Sequence, residues 1–148
     1  MKPNFNGRYR GMECRVYLVR ENPSIKPVEM NNARDVYDLV KQEMISADRE
    51  MFLSVYISAA NSLIGVETVS VGTLSACMVS AREVFKGAIL AYAVSIIICH
   101  NHPSGSLIPS AEDIRLTDLL IKAGDILDIK VLDHLIIGND GYQSIINH

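Results

Sequence analysis

SIIICHNHPSGSLIPSAED, residues 95–113, passes from an apolar run to two histidines, a Pro-Ser-Gly turn and a serine three residues before an aspartate. With Val94 in front, the run VSIIIC shows no alternation of polar and apolar residues, as expected of a strand covered on both faces. At the other end Ser110 is a good N-cap, Pro109 precedes it, and Glu112 and Asp113 place acidic side chains in a first helical turn. A helix therefore opens at Ala111. A buried strand, a short loop and a helix in succession point to helices packed on a sheet.

Working outward, the third helix runs over AEDIRLTDLLIKAGDIL, 111–127, with Ile114, Leu120, Ile121 and Leu127 largely facing one way. IKVLDHLIIG, 129–138, reads as a strand, NDG as a hairpin turn, and YQSII, 142–146, as the last strand. Upstream, SAREVFKGAILAYA, 80–93, reads as a helix opened by the S-x-x-E capping-box pattern of Ser80 and Glu83. EMFLSVYIS, 50–58, and SLIGVETVSVG, 62–72, are β-branched-rich runs joined by a short connection, which is a hairpin pattern. NNARDVYDLVKQEMI, 31–45, has Asn31 or Asn32 as a cap and Val36, Leu39, Val40 and Met44 on one helical face. CRVYLVR, 14–20, alternates as an early strand does. The order β-α-β-β-α-β-α-β-β gives an α/β (α+β) class, a mixed sheet flanked by helices. Residues 1–11 read as a flexible lead-in and 12–148 as one domain.

The chain has 148 residues, of which 49% are hydrophobic and 21% charged, enough to bury a core without disulfides or a structural metal. A metal in such a chain serves chemistry rather than folding. Cys14, Cys77 and Cys99 are odd in number, widely spaced and without a CxxC pair. They argue against a disulfide framework or a cysteine zinc knuckle and for a reducing compartment. The start has no signal-peptide run, and no uncharged stretch approaches the length of a membrane span. The expectation is a cytoplasmic protein with no membrane partner. Charge is uneven: residues 1–26 hold Lys2, Arg8, Arg10, Arg15, Arg20 and Lys26 against Glu13 and Glu21, within a chain of net charge -3. A basic arm can make a weak nucleic-acid contact. A solvated, partly disordered start is the simpler reading, because basic and aromatic side chains do not interleave there as a stacking platform.

His100 and His102 follow the buried strand, and side chains two apart point the same way while extended geometry persists. Two imidazoles on one side of a strand end can share a metal ion, although H-x-H by itself also recurs in plain loops. Asp113 lies in the first turn of the next helix, and the Pro-Ser-Gly turn reverses the chain between the two. Its carboxylate can reach the same ion, leaving one coordination position open, as at catalytic zinc sites. Ser110 is placed to donate a hydrogen bond near that ion. A hydrolase also needs a carboxylate to shuttle protons. Glu50, at a strand start, and Glu67, mid-strand, are both candidates; hydration and access at a strand end mildly favour Glu50. Gly105 is expected to give the turn a positive φ. Cys99 should point away from His100 into the core, and His134, mid-strand, is expected to be a hydrogen-bonded structural or supporting histidine.

HNHPSGSLIPSAED is H-x-H, seven residues, then S-x-x-D, and it resembles the JAMM motif of the JAB/MPN metalloprotease superfamily. VSAREVFKGAI, HNHPSG and LDHLIIG are similar to phrases of its RadC-like branch, and the similarity runs from about Cys14 to about Ile146. The resemblance implies the JAB/MPN-like, cytidine-deaminase-like fold and one Zn2+ held by His100, His102 and Asp113, with water as fourth ligand. It implies Ser110 as the oxyanion-stabilising hydroxyl and Glu50 as the catalytic glutamate. Ser80-Ala81 replaces a frequent His-Pro, and Cys99 a usual alanine. Longer RadC-like proteins carry a helix-hairpin-helix module ahead of this domain, which this chain is expected to lack.

Three functions are then open: a zinc hydrolase acting on a peptide or isopeptide bond of a peptide or protein substrate, a DNA-repair or nucleic-acid-associated module, and a metal-binding scaffold. The complete ligand set with Glu50 favours the first.

Overall fold

The computed structural model describes residue 19, residues 26–72 and residues 79–146. In chain order these form α1 (Ala33–Ile45), β1 (Met51–Ile57), β2 (Leu63–Val71), α2 (Ala81–Leu90), β3 (Ser95–Asn101), α3 (Ala111–Leu127), β4 (Lys130–Gly138) and β5 (Gly141–Ser144). The lead-in at 1–11 and the strand expected at 14–20, apart from the exposed Val19, lie outside the described residues.

The five strands form one sheet in the order β2-β1-β3-β4-β5. β1 pairs antiparallel with both β2 and β3, β3 runs parallel to β4, and β4 turns back into β5. Parallel neighbours need a crossover, and α3 supplies it between β3 and β4. The mixed sheet flanked by helices is therefore the architecture expected from the sequence.

Helices cover both faces of the sheet. On one side α1 lays Val36, Tyr37, Val40 and Met44 against Leu53, Val55, Ile57, Ile97, Cys99 and Leu135. On the other, Val84, Phe85 and Ala88 of α2 and Leu120 of α3 pack on Phe52, Tyr56, Ile96, Ile98 and Val131. Every residue of β3 is buried, which is why its sequence does not alternate. Cys99 lies in the α1-side cluster, away from His100's face, as expected.

Asn32 is the cap of α1: its side chain accepts from the Asp35 N–H (3.1 Å), and Asp35 Oδ2 accepts from the Asn32 N–H (3.3 Å). Leu39 does not join the buried stripe; it is 40% exposed, and Tyr37 takes the place instead. Val36, Val40 and Met44 lean toward the Tyr37 flank of the helix, where the ring also packs beside Tyr142. The capping box expected at α2 is half formed. Ser80 accepts from the Glu83 N–H, but the Glu83 carboxylate pairs with Lys86 (3.0 Å) instead of reaching back. α2 also stops at Leu90, short of the expected 93, because Tyr92 turns left-handed (φ 54°).

α3 has the expected bounds, and Leu120 and Ile121 face the core as expected, but the rest of its inner face differs. Asp113, Thr117, Leu120 and Gly124 are buried, whereas Ile114 and Leu127 are exposed. Ile114 sits about a quarter turn from Asp113, so a helix that turns Asp113 inward turns Ile114 out. Among the described residues, no helix is long and apolar enough to cross a membrane.

Candidate metal centre

β3 ends, α3 begins and β1 begins at one edge of the molecule. His100 is a β3 residue with a fully buried side chain, and His102 lies just past the strand with its side chain 15% exposed. Between them and α3, the Gly105 N–H donates to the His102 carbonyl (2.8 Å), and Gly105 has φ +77°, the positive value expected of it. That turn lets the chain double back so that Asp113 meets both histidines. His100 Nε2 is 3.2 Å from Asp113 Oδ1, His102 Nε2 is 3.4 Å from Asp113 Oδ2, and the two Nε2 atoms are 3.0 Å apart.

Ser110 and Asp113 form a full capping box. Ser110 Oγ accepts from the Asp113 N–H (3.1 Å) and Asp113 Oδ2 accepts from the Ser110 N–H (2.7 Å). The helix cap and the histidine contacts thus use one and the same carboxylate, and the cap fixes its orientation. The Ser110 hydroxyl accepts in this cap and keeps its own hydrogen to donate. Burial alone would raise the Asp113 carboxyl. A hydrogen or positive charge on the His100 side of the carboxylate, together with the Ser110 N–H, outweighs burial and holds it well below the ordinary carboxylate range.

His102 Nδ1 is 2.8 Å from the Ser106 carbonyl oxygen, which can only accept, so Nδ1 carries the hydrogen and Nε2 is a bare lone pair. A bare imidazole nitrogen aimed at a carboxylate is unfavourable unless a cation lies between them. Two imidazoles and one carboxylate, with ligand atoms within 4.8 Å of one another, could hold a metal ion, and this donor set suits zinc.

Glu50 stands one residue before β1, partly buried, with its carbonyl accepting from the Gly72 N–H (2.8 Å). β1 and β3 pair Phe52 with His100. Continued by two residues, that register sets Glu50 opposite His102, and strand alternation gives it the sheet face of Phe52 and His100. Asn101, between the two histidines, holds this strand start. Its Oδ1 accepts from the Met51 N–H (2.7 Å) and its Nδ2 donates to the Arg49 carbonyl (3.2 Å), one on either side of Glu50. Phe52 lies parallel to the His100 ring, 6.3 Å between centroids.

Glu67, the other carboxylate candidate, is elsewhere. It accepts from the Tyr56 hydroxyl, and Tyr56 pairs with Ile96, four residues back from His100, on the order of 13 Å along the strand. Arg82 is an exposed helix-surface residue beside Glu83. Asp133 is structural: its buried Oδ1 accepts from the His134 N–H, the Ser144 hydroxyl and the Ile146 N–H. His134 is fully buried behind His100, with Nε2 2.8 Å from His100 Nδ1 and Nδ1 2.6 Å from Thr117 Oγ1. Asn101 and Thr117 are site residues that the sequence reading does not single out. A polar residue inside an apolar strand was the signal for His134. Thr117 had only its place one turn after Asp113.

Residues 30–148 match the RadC-like JAB domain family. The chain is 43% identical over 150 residues to a UPF0758 protein of Desulfitobacterium hafniense, covering 93% of this chain and 66% of that protein. It is 47% identical over 116 residues to one of Moorella thermoacetica (78% of this chain, 51% of the relative). It is 41% identical over 117 residues to one of Methanosarcina mazei (79% and 51%). The chain thus spans from about half to two thirds of the length of these relatives. With its mixed sheet, its H-x-H strand end and its S-x-x-D helix start, the chain belongs to the RadC-like JAB domain family.

Proposed function

We propose that this domain is a zinc-dependent hydrolase that cleaves a peptide or isopeptide bond. The observation carrying this reading is the convergence of His100 Nε2, His102 Nε2 and the Asp113 carboxylate at a strand end whose register sets Glu50 opposite His102. Membership of a superfamily that includes metalloproteases agrees with it. Zinc held by these three side chains would supply Lewis acidity to a carbonyl oxygen and to a water molecule. Glu50 takes the proton from the attacking water and returns it to the leaving amine. The Ser110 hydroxyl, fixed by its cap with Asp113, donates to the oxygen that gains charge as the carbonyl carbon becomes tetrahedral.

Protein purified without chelator is expected to carry close to one zinc per chain. Less than about a tenth of an equivalent, not restored by added zinc, would remove the reading. In an unbiased screen of peptide and isopeptide substrates, Glu50→Gln should keep the zinc and lose hydrolysis. Hydrolysis that survives the substitution would place the base elsewhere.

A nucleic-acid contact is a separate proposal, resting on the cluster of basic side chains in residues 1–26. It requires DNA binding that weakens steeply with salt. No binding at low salt removes it.

A further inference from the structure

His100 can present Nε2 to a metal only if its hydrogen sits on Nδ1, and nothing in the pair of histidines decides that. The decision lies behind them, in a chain of three contacts. Thr117 Oγ1 is 2.6 Å from the Asp113 carbonyl oxygen and 2.6 Å from His134 Nδ1, and His134 Nε2 is 2.8 Å from His100 Nδ1.

Two oxygens 2.6 Å apart need a hydrogen between them. The carbonyl has none, so the Thr117 hydroxyl donates to Asp113. That uses the only hydrogen Thr117 has, so its oxygen must accept from His134, and His134 carries hydrogen on Nδ1. His134 is fully buried, and a charged ring there would need a carboxylate at Nε2, which meets His100 Nδ1 instead, so the ring is neutral and its Nε2 is bare. A bare Nε2 at 2.8 Å must accept from His100 Nδ1–H. His100 is then left with Nε2 unprotonated, aimed at Asp113 Oδ1 and beside His102 Nε2.

We infer that His134, backed by Thr117, is a positioning residue that fixes the tautomer of His100 and so presents Nε2 to the metal. His102 reaches the same state by the commoner route, donating Nδ1–H to a backbone carbonyl. For His100 the anchoring carbonyl belongs to Asp113, two side chains away. The contacts close a ring: the Asp113 carboxylate meets His100, His100 meets His134, His134 meets Thr117, and Thr117 returns to the Asp113 backbone. One ligand thereby orients another through both its side chain and its main chain. The inference rests on the metal reading of His100, His102 and Asp113.

The test is nitrogen-15 NMR of the imidazoles in the full chain, first metal-free and then with zinc added. His134 is expected to carry hydrogen on Nδ1 in both states. His100 is expected to keep Nδ1–H while its Nε2 resonance shifts on zinc addition. Hydrogen on Nε2 of His134 would overturn the inference even if zinc binds. Failure of the wild type to take up zinc would remove the metal reading and this inference with it, so the two failures are told apart.

Variants add an affinity readout by competition with a chromophoric chelator. Folded His134→Leu should lose zinc affinity by roughly 10- to 100-fold, as loss of an outer-sphere partner does. His134→Gln, which retains one donor and one acceptor, should recover part of it. Thr117→Val keeps the shape of the side chain and removes its oxygen. It should release the Nδ1 preference of His134, and it serves if His134→Leu does not fold. Unchanged affinity in folded His134→Leu, or an unchanged His134 tautomer in Thr117→Val, overturns the inference.

Discussion

Asn101 shows how much of the centre depends on a single side chain between the ligands. Its amide spans the strand start on both sides of Glu50, accepting from Met51 and donating to Arg49. Asn101→Ala leaves both backbone groups without this partner and loosens the segment that carries Glu50. The ligand set is untouched, so zinc content is expected to remain while kcat falls on the order of ten- to a hundredfold, as a misplaced catalytic group causes. Stability should also drop by about 1–3 kcal/mol for the groups left unpaired. Metal analysis beside steady-state kinetics checks this. Loss of zinc in parallel with activity would mean that Asn101 supports the ligands rather than Glu50. The histidines, Ser110 and Asp113 were legible in the sequence because they lie within fourteen consecutive residues at a recognisable spacing. Asn101, Thr117 and the pairing of His134 with His100 were not. Their roles depend on which residue stands across the sheet, and Met51 and Asn101 meet over fifty positions of sequence.

At the scale of the element, α3 is the least ordinary part of the fold. Its inner stripe of Asp113, Thr117, Leu120 and Gly124 holds a single large apolar residue. Apolar periodicity therefore finds only part of the inner face: Leu120 and Ile121 pack on the core while Ile114 and Leu127 do not, whereas the helix's start, length and end were all legible. The polar half of the stripe builds the centre, and the glycine lets the helix lie close to the chain that follows. A Cβ at Gly124 would stand 2.5 Å from the Ile129 carbonyl oxygen, 3.2 Å from a Val131 methyl and 3.3 Å from the Phe85 ring. In an open helix Gly→Ala gains up to about 1 kcal/mol. At Gly124 the nearest obstacle is backbone, which cannot swing aside, and overpacking costs typically about 1–3 kcal/mol. Gly124→Ala is therefore expected to be net destabilising, seen as a lower denaturant midpoint with an unchanged slope. A raised midpoint would show that α3 can back away from β4 at no cost.

Across the whole molecule the same sheet separates the end that carries His100, His102 and Asp113 from a core that must stay uncharged. The centre gathers the end of β3, the start of α3 and the start of β1, a meeting point set by one parallel and one antiparallel neighbour of β3. Farther along, Tyr56 is buried on the α2 side and donates to Glu67, and Cys99 is buried on the α1 side. Burial pushes both acids up from ordinary values of 10.0 and 9.0, the Glu67 carboxylate adding to it at Tyr56 and the Asp133 charge at Cys99. The folded chain therefore holds these two protons at pH values where the unfolded chain releases them. Stability from this source is fully present below about pH 9 and falls as pH rises, first with Cys99 and then with Tyr56. Denaturant midpoints measured from pH 8 to 11 are expected to decline over that range. Tyr56→Phe should flatten the upper part of the decline and Cys99→Ala the lower part, each from a changed starting stability. A decline of the same shape in both variants would assign the alkaline loss to other groups and leave the core's two buried acids without a measurable part in it.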